Sequence, residues 1–306
     1  MSCNKDFIRG VYPLIFVPYH DDGEVDYQTF EKELEYLSTK PGIHGLGLFG
    51  MVSEFHKLDD SEKFKLADIF VNGLKGTGVC SLVSVTNHST EVAVKRAKYF
   101  EKLGPDTLML LPPSFLNPDI NEIRHHMTSV LEAVDIPVLI QYAPQATGKA
   151  IATEELVAMA DKYDNAAFKI EYKPPVEYMR EVFALSKDLV VLGGYAGIDI
   201  IEQYQIGVRG VMPGCSFTEL YVAEYNAFLA GDIQKANEIH ALYAKYLPTW
   251  MSSPESMMAI EKEIFVRRGL FKNGKCRRPA HMVTEKQFEE LECFLEEVSA
   301  YCGKIC

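Results

Sequence analysis

The chain has 306 residues, 47% of them hydrophobic and 24% charged. That length suits two ordinary domains or one large α/β barrel, and that composition excludes a disordered, collagenous or low-complexity protein. Acidic residues outnumber basic ones by 43 to 31, a net charge of −12, so the basic footprint that non-specific nucleic-acid binding needs is missing.

No apolar stretch is long enough to span a bilayer, and the opening residues MSCNKDFIRG lack the apolar core of a signal peptide. The expectation is a soluble, cytoplasmic protein with no membrane or nucleic-acid partner. Seven scattered cysteines without a CxxC pair read as thiols in a reducing compartment rather than as a disulfide framework or zinc site.

Short β-rich runs alternate with longer amphipathic stretches. The runs cover residues 11–17, 43–49, 79–85, 107–111, 136–142, 166–170, 189–192 and 208–212, and several are apolar on both faces (VYPLIFV, TLMLL, IPVLI). That is the pattern of parallel strands covered on both sides. Helical spacing fills residues 27–37, 60–74, 90–103 and 122–133, with Asp26, Asp60, Ser89, Asp119 and Thr153 as N-caps. After the eighth run the pattern becomes helix upon helix, over 217–229, 233–247, 255–268 and 284–301. The prediction is a single-domain (β/α)₈ TIM barrel over residues 8–230, with a C-terminal helical extension over 231–306.

Residues 45–50 (GLGLFG) match the GxGxxG fingerprint of dinucleotide sites. That motif should leave a strand and open a helix, whereas here the glycines lie within the strand, so no nucleotide is implied. His125 and His126 fall within a helical stretch, where exposed or packed imidazoles are the default. His88 follows the third strand at its C-terminal end, the end that carries barrel active sites.

Lys169 closes the sixth strand in AAFKIE. Desolvation disfavours the charged form of an amine and frees the lone pair that attacks a carbonyl, giving a Schiff base that serves as an electron sink. Taken alone, a strand-end lysine is as easily an exposed charge.

Residues 10–25 (GVYPLIFVPYHDDGEV), 50–54 (GMVSE), Pro112 with Pro113, 141–144 (QYAP) with Thr147 and Gly148, 168–171 (FKIE) and 207–212 (GVRGVM) follow the order of one family. The chain resembles the dihydrodipicolinate synthase / N-acetylneuraminate lyase family of Schiff-base barrel lyases. The resemblance places Lys169 at the family's imine-forming position. It gives the backbone of Gly50, Met51, Val52 and Ser53 the carboxylate of a 2-oxo acid, and sets Gln141 and Met212 in the pocket lining. It also implies a homo-oligomer, a tetramer by family habit.

Several family positions differ. The two threonines of the GTTGE loop correspond to Met51 and Val52, the tyrosine of YNxP to Gln141, a second tyrosine to Phe115, and a substrate-binding arginine to Ala146. The aldolases' hydroxyl relay is therefore missing, and dihydrodipicolinate synthesis is not implied. The combination is similar to the 2-keto-3-deoxy-sugar-acid dehydratases, those for L-arabonate above all.

The expected function is dehydration of such a sugar acid through a Lys169 imine, without metal or cofactor. Tyr142 ranks first as proton shuttle for its phenol, ahead of Glu171, Ser53 and His88. As its neighbour in the strand, it points away from Gln141 unless the strand end is bulged. A pyruvate-releasing retro-aldolase and a non-catalytic 2-oxo-acid-binding barrel are the competing readings.

Overall fold

Eight short strands carry the architecture: β1 (Gly10–Val11), β2 (Gly45–Leu48), β3 (Cys80–Ser84), β4 (Thr107–Leu110), β5 (Val138–Tyr142), β6 (Ala166–Ile170), β7 (Val191–Gly193) and β8 (Gly210–Val211). The structure is a computed structural model that describes residues 3–305, with the side chains of residues 146 and 147 outside the description. The strands follow one another through a single sheet in the order β1-β8-β7-β6-β5-β4-β3-β2, with helices in the connections between them. This is the (β/α)₈ barrel that the alternation predicts, followed by the extra helices Ile233–Ala244, Leu247–Trp250, Pro254–Arg268 and Glu285–Glu297.

Every strand overlaps its predicted run. The first is the most shortened, because Pro13 has no N–H to give to a ladder. Beyond it, Leu14 makes only isolated parallel bridges, to Gly47 and to Gly214.

The helix starts correct two expectations by one residue. Asp59, not Asp60, caps the helix Asp60–Leu74, through a capping box with Glu62. The helix Thr153–Lys162 begins on Ala152, and Thr153 is its first turn rather than its cap. Asp26, Ser89 and Asp119 cap as predicted, each accepting a backbone N–H with its side chain.

The chain divides into two compact units. One comprises Met1–Gly10 and Cys80–Met212, the other Val11–Val79 and Pro213–Cys306. In the first, β3 to β8 pair in parallel with continuous register; Gln141 lies opposite Lys169, and Lys169 opposite Leu192. Every residue of β4, β5 and β6 is buried, as strands covered on both faces must be. Gly210 approaches Gly10 so closely that a Cβ there would stand 2.1 Å from the Gly10 carbonyl oxygen, so any larger residue would part the two backbones.

In the second unit the helix Pro254–Arg268 is buried nearly all round, including its polar residues Ser256, Glu261, Lys262 and Arg268. Phe217, Trp250 and Phe294 pack edge to face, with ring centroids 5.1–6.5 Å apart. The C-terminal extension is therefore part of a core and not an appendage. No helix among the described residues is long and apolar enough to cross a membrane, and the six described cysteines form no disulfide with one another.

Candidate active site

Strand alternation decides which groups meet in the first unit. Lys169 and Glu171 are two residues apart, so they share a face, while Phe168 and Ile170 point the other way. The Lys169 side chain is 3% exposed, and its Nζ stands 3.1 Å from Oε1 of Glu171. Gln141, opposite Lys169 in the register, donates from Nε2 to Oε2 of Glu171 at 2.6 Å. The backbone N–H of Tyr195 donates to Oε1 at 3.3 Å.

Burial alone would raise the Glu171 carboxyl. The Lys169 ammonium, the Gln141 amide and the Tyr195 N–H outweigh that desolvation and hold it below its ordinary value. A charge-paired carboxylate thus sits within proton-transfer distance of the amine.

The turn after β7 is shaped around this carboxylate. A Cβ on Gly194 would lie 2.2 Å from Cγ of Glu171. The next two residues, Tyr195 and Ala196, both take φ of 50°, a conformation that non-glycine residues adopt at a cost and that recurs at functional sites. Lys173 places its Nζ 4.5 Å from the centroid of the Tyr195 ring.

Tyr142 lies on the opposite face of β5. Its hydroxyl donates to the Ile151 carbonyl and accepts from the Ile151 N–H, both at 3.1 Å. Its ring stacks with Tyr178 and Tyr172, at centroid distances of 5.7 and 6.4 Å, and burial raises the phenol above its ordinary value. The structure therefore joins Lys169 to Glu171 and Gln141, with Tyr142 outside that group.

Met212 is 2% exposed and donates its N–H to the Gly193 carbonyl at the end of β7. His88 lies in the loop after β3 with its ring 5.7 Å from that of Phe115. His126 is buried, which lowers its imidazole to about 4, whereas His125 is exposed. The side chain of Ala146 lies outside the described residues.

In the second unit, β2 ends in a tight loop, Gly50 leading into the single turn Met51–Ser53. GLGLFG is strand followed by this loop: a Cβ on Gly45 would meet the Tyr12 ring at 2.2 Å, and one on Gly50 would meet Leu14 at 2.5 Å. Ser53 is fully buried; its hydroxyl donates to the Ile15 carbonyl at 2.6 Å and accepts from the Phe49 N–H at 3.1 Å. Ser53 and Glu54 give their own N–H groups to the Gly50 and Met51 carbonyls. The N–H groups of Gly50, Met51 and Val52 keep no acceptor among the described residues, and successive backbone donors of this kind can receive an anion. No cluster of three or more His, Cys, Asp or Glu side chains among the described residues is arranged to hold a metal ion.

Sequence reasoning named Lys169, Glu171 and Gln141 without joining them, and it missed Gly194 and Tyr195. The only signal for the last two was a Gly-Gly-Tyr at a strand end, where a turn shaped to a neighbour is expected.

At the C-terminal end of β6 the Lys169 amine is thus paired with the buried carboxylate of Glu171. The chain belongs to the dihydrodipicolinate synthetase family, whose model matches residues 7–298, and it is a lyase of that family. It is 26% identical over 233 residues to the 4-hydroxy-tetrahydrodipicolinate synthase of Methanocaldococcus jannaschii, covering 76% of this chain and 79% of that protein. It is also 26% identical over 247 residues to the L-2-keto-3-deoxyarabonate dehydratase of Azospirillum brasilense, covering 78% of each. The crystal structure of dihydrodipicolinate synthase from Rhodopseudomonas palustris superposes with a TM-score of 0.87 at 20% identity, covering 97% of this chain and 100% of that one.

Proposed function

We propose that the protein dehydrates a 2-keto-3-deoxy sugar acid through a Schiff base on Lys169. The observation that carries this reading is the buried group Lys169–Glu171–Gln141. Before Lys169 can attack the C2 carbonyl it must lose a proton, and Oε1 of Glu171 is there to take it. The carbinolamine then releases water to give the iminium. The iminium acidifies C3, and a proton leaves C3 to form the enamine. The enamine expels the C4 hydroxyl, which departs as water after protonation and leaves a C3=C4 double bond conjugated with the iminium. Loss of a proton from C5 gives a dienamine, and its protonation at C3 leaves a C4=C5 enol. The enol ketonises to the C5 aldehyde, and hydrolysis of the iminium frees a dioxo acid with every carbon–carbon bond intact.

Glu171 suits the proton traffic better than Tyr142, whose hydroxyl is taken up by Ile151. Gln141 holds Glu171 in register, where the aldolases of the family carry a tyrosine. The backbone N–H groups of Gly50, Met51 and Val52 suit the part that the resemblance gives their loop, which is to receive the 2-oxo acid carboxylate. The similarity to a keto-deoxy-arabonate dehydratase supports dehydration over carbon–carbon cleavage.

The family resemblance supports a homo-oligomer, a tetramer. The exposed Phe115 and Leu116 are apolar surface that assembly would cover.

Borohydride trapping followed by intact-mass measurement tests the reading, with pyruvate and 2-keto-3-deoxy-L-arabonate as probes and Lys169→Ala as control. The expected result is an adduct that disappears in the variant, and a dioxo acid as the turnover product. Pyruvate plus an aldehyde as products would replace dehydration by retro-aldol cleavage. No adduct with either probe would overturn the Schiff base.

A further inference from the structure

The loop whose Gly50, Met51 and Val52 N–H groups keep no acceptor among the described residues is held by residues far away in sequence. Its two flanks are strained: Phe49 has φ of 63° and Glu54 φ of 51°, both left-handed and neither glycine. Ser53 ties the loop down near the first flank, through the Ile15 carbonyl and the Phe49 N–H. The second flank depends on Glu54, whose side chain is fully buried. Lys262, also fully buried and 208 residues away, donates to Oε1 of Glu54 at 2.5 Å. Lys57 and the backbone N–H of Arg277 donate to Oε2, both at 3.0 Å.

Lys262 has further partners. Its ammonium also donates to the Val17 carbonyl at 2.8 Å and to the Lys275 carbonyl at 3.1 Å, and it sits 4.5 Å from the centroid of the Tyr19 ring. A single buried cation thus joins the loop flank, the chain beyond β1 and the segment after the helix Pro254–Arg268. Stability alone is a weak reason for such a group, because apolar residues of the same volume often replace a buried ion pair without loss. What the pair supplies is direction. It fixes a left-handed Glu54, and with it the orientation of residues 50–53 that lead up to it.

We propose that Lys262 is a positioning residue for the carboxylate-receiving loop, acting through Glu54 on the N–H groups of Gly50, Met51 and Val52. The proposal rests on the reading of that loop given above. The C-terminal extension then has a definite part in substrate recognition, although Lys262 touches no substrate.

The test compares two probes that differ only in the anion, pyruvate and methyl pyruvate, in borohydride trapping on the full-length protein. In Lys262→Met the pyruvate concentration for half-maximal trapping should rise about tenfold or more, the loss of roughly one charge-assisted hydrogen bond. The value for the ester should stay within about twofold, and trapping at saturation should be retained. A purely structural role would shift both probes together or neither, and either result overturns the proposal.

Should Lys262→Met not fold, the charge-neutral double variant Glu54→Gln/Lys262→Met is measured in the same way, with the same selective loss expected. If the double variant also fails to fold, the pair is structural and the proposal falls. A wild-type protein that traps neither probe would instead mark the failure of the Schiff-base reading itself.

Discussion

Glu171 and Lys169 form an ion pair of 3.1 Å across one intervening residue of the same strand. Their side chains project from one face while Ile170 turns to the other, so strand geometry itself maintains the pair. An amine and a carboxylate are thus placed by backbone register.

Replacing Glu171 with Gln keeps the shape and removes the proton acceptor. Turnover should fall about 10²- to 10⁴-fold, the usual contribution of a positioned general base. The isolated imine should still form when the protein is incubated with pyruvate for long periods at alkaline pH. Steady-state kinetics beside trapping separates the two effects, and undiminished turnover would remove Glu171 from the mechanism.

The Gln141 amide is one of the groups holding the Glu171 carboxyl below its ordinary value. The acid limb of the kcat/KM profile reports the free enzyme, so in the wild type it should lie below the usual carboxylate range. Gln141→Leu removes that support, raises the carboxyl and moves the limb to higher pH. A limb that stays in place would show that another group governs it.

Tyr142→Phe should act on stability and leave chemistry alone. It strips the Ile151 N–H and carbonyl of their buried partner, a loss of about 1–3 kcal/mol. Thermal unfolding should register this while kcat stays within about twofold. A large drop in kcat at unchanged stability would return the phenol to the role of proton shuttle.

Gly194 has an extended backbone that any residue can adopt, so Gly194→Ala carries no conformational penalty of its own. Its methyl would collide with Glu171. We expect a stability loss of about 1–3 kcal/mol, as for other overpacked sites, together with a loss of turnover approaching that of Glu171→Gln. Near-normal turnover would mean that the carboxylate has room to retreat.

Away from the site, burial pushes the Glu33 carboxyl up from 4.5 to about 8, against the Phe16 N–H and the Cys215 thiol, which favour the anion. A carboxyl raised on folding binds its proton in the folded state after the unfolded chain has released it. Its stabilisation is therefore complete below pH 4.5 and is lost as pH rises toward 8, by up to about 1.4 kcal/mol per pH unit. Glu33→Gln should flatten that fall, as chemical denaturation at pH 5 and pH 8 would show. Equal slopes in both proteins would place the titration elsewhere.

Periodicity made the barrel readable, because buried parallel strands and amphipathic helices differ over a few residues. It could not show that Pro13 cuts the first strand short, or that the extension is core. Those depend on which hydrogen bonds close and on what packs against the helix Pro254–Arg268. For the site, the alternation in FKIE already placed Lys169 and Glu171 on one face. The link from Gln141 to Glu171 needed the pairing register between β5 and β6, which no single strand encodes. Tyr142 carries a phenol next to Gln141, and strand alternation turns it to the other face of β5, where its hydroxyl bonds to Ile151. Tyr195 contributes only a backbone N–H, and a main-chain donor leaves no mark in side-chain chemistry.

The bond between Lys262 and Glu54 spans 208 residues, and this separation has a consequence for synthesis. A ribosome translating this chain completes all eight strands before it makes the lysine that anchors the loop after the second. Until that lysine is made, Glu54 lacks the donor that its Oε1 has in the finished protein. On the proposal made above, recognition of a carboxylate then waits until Lys262 has been made.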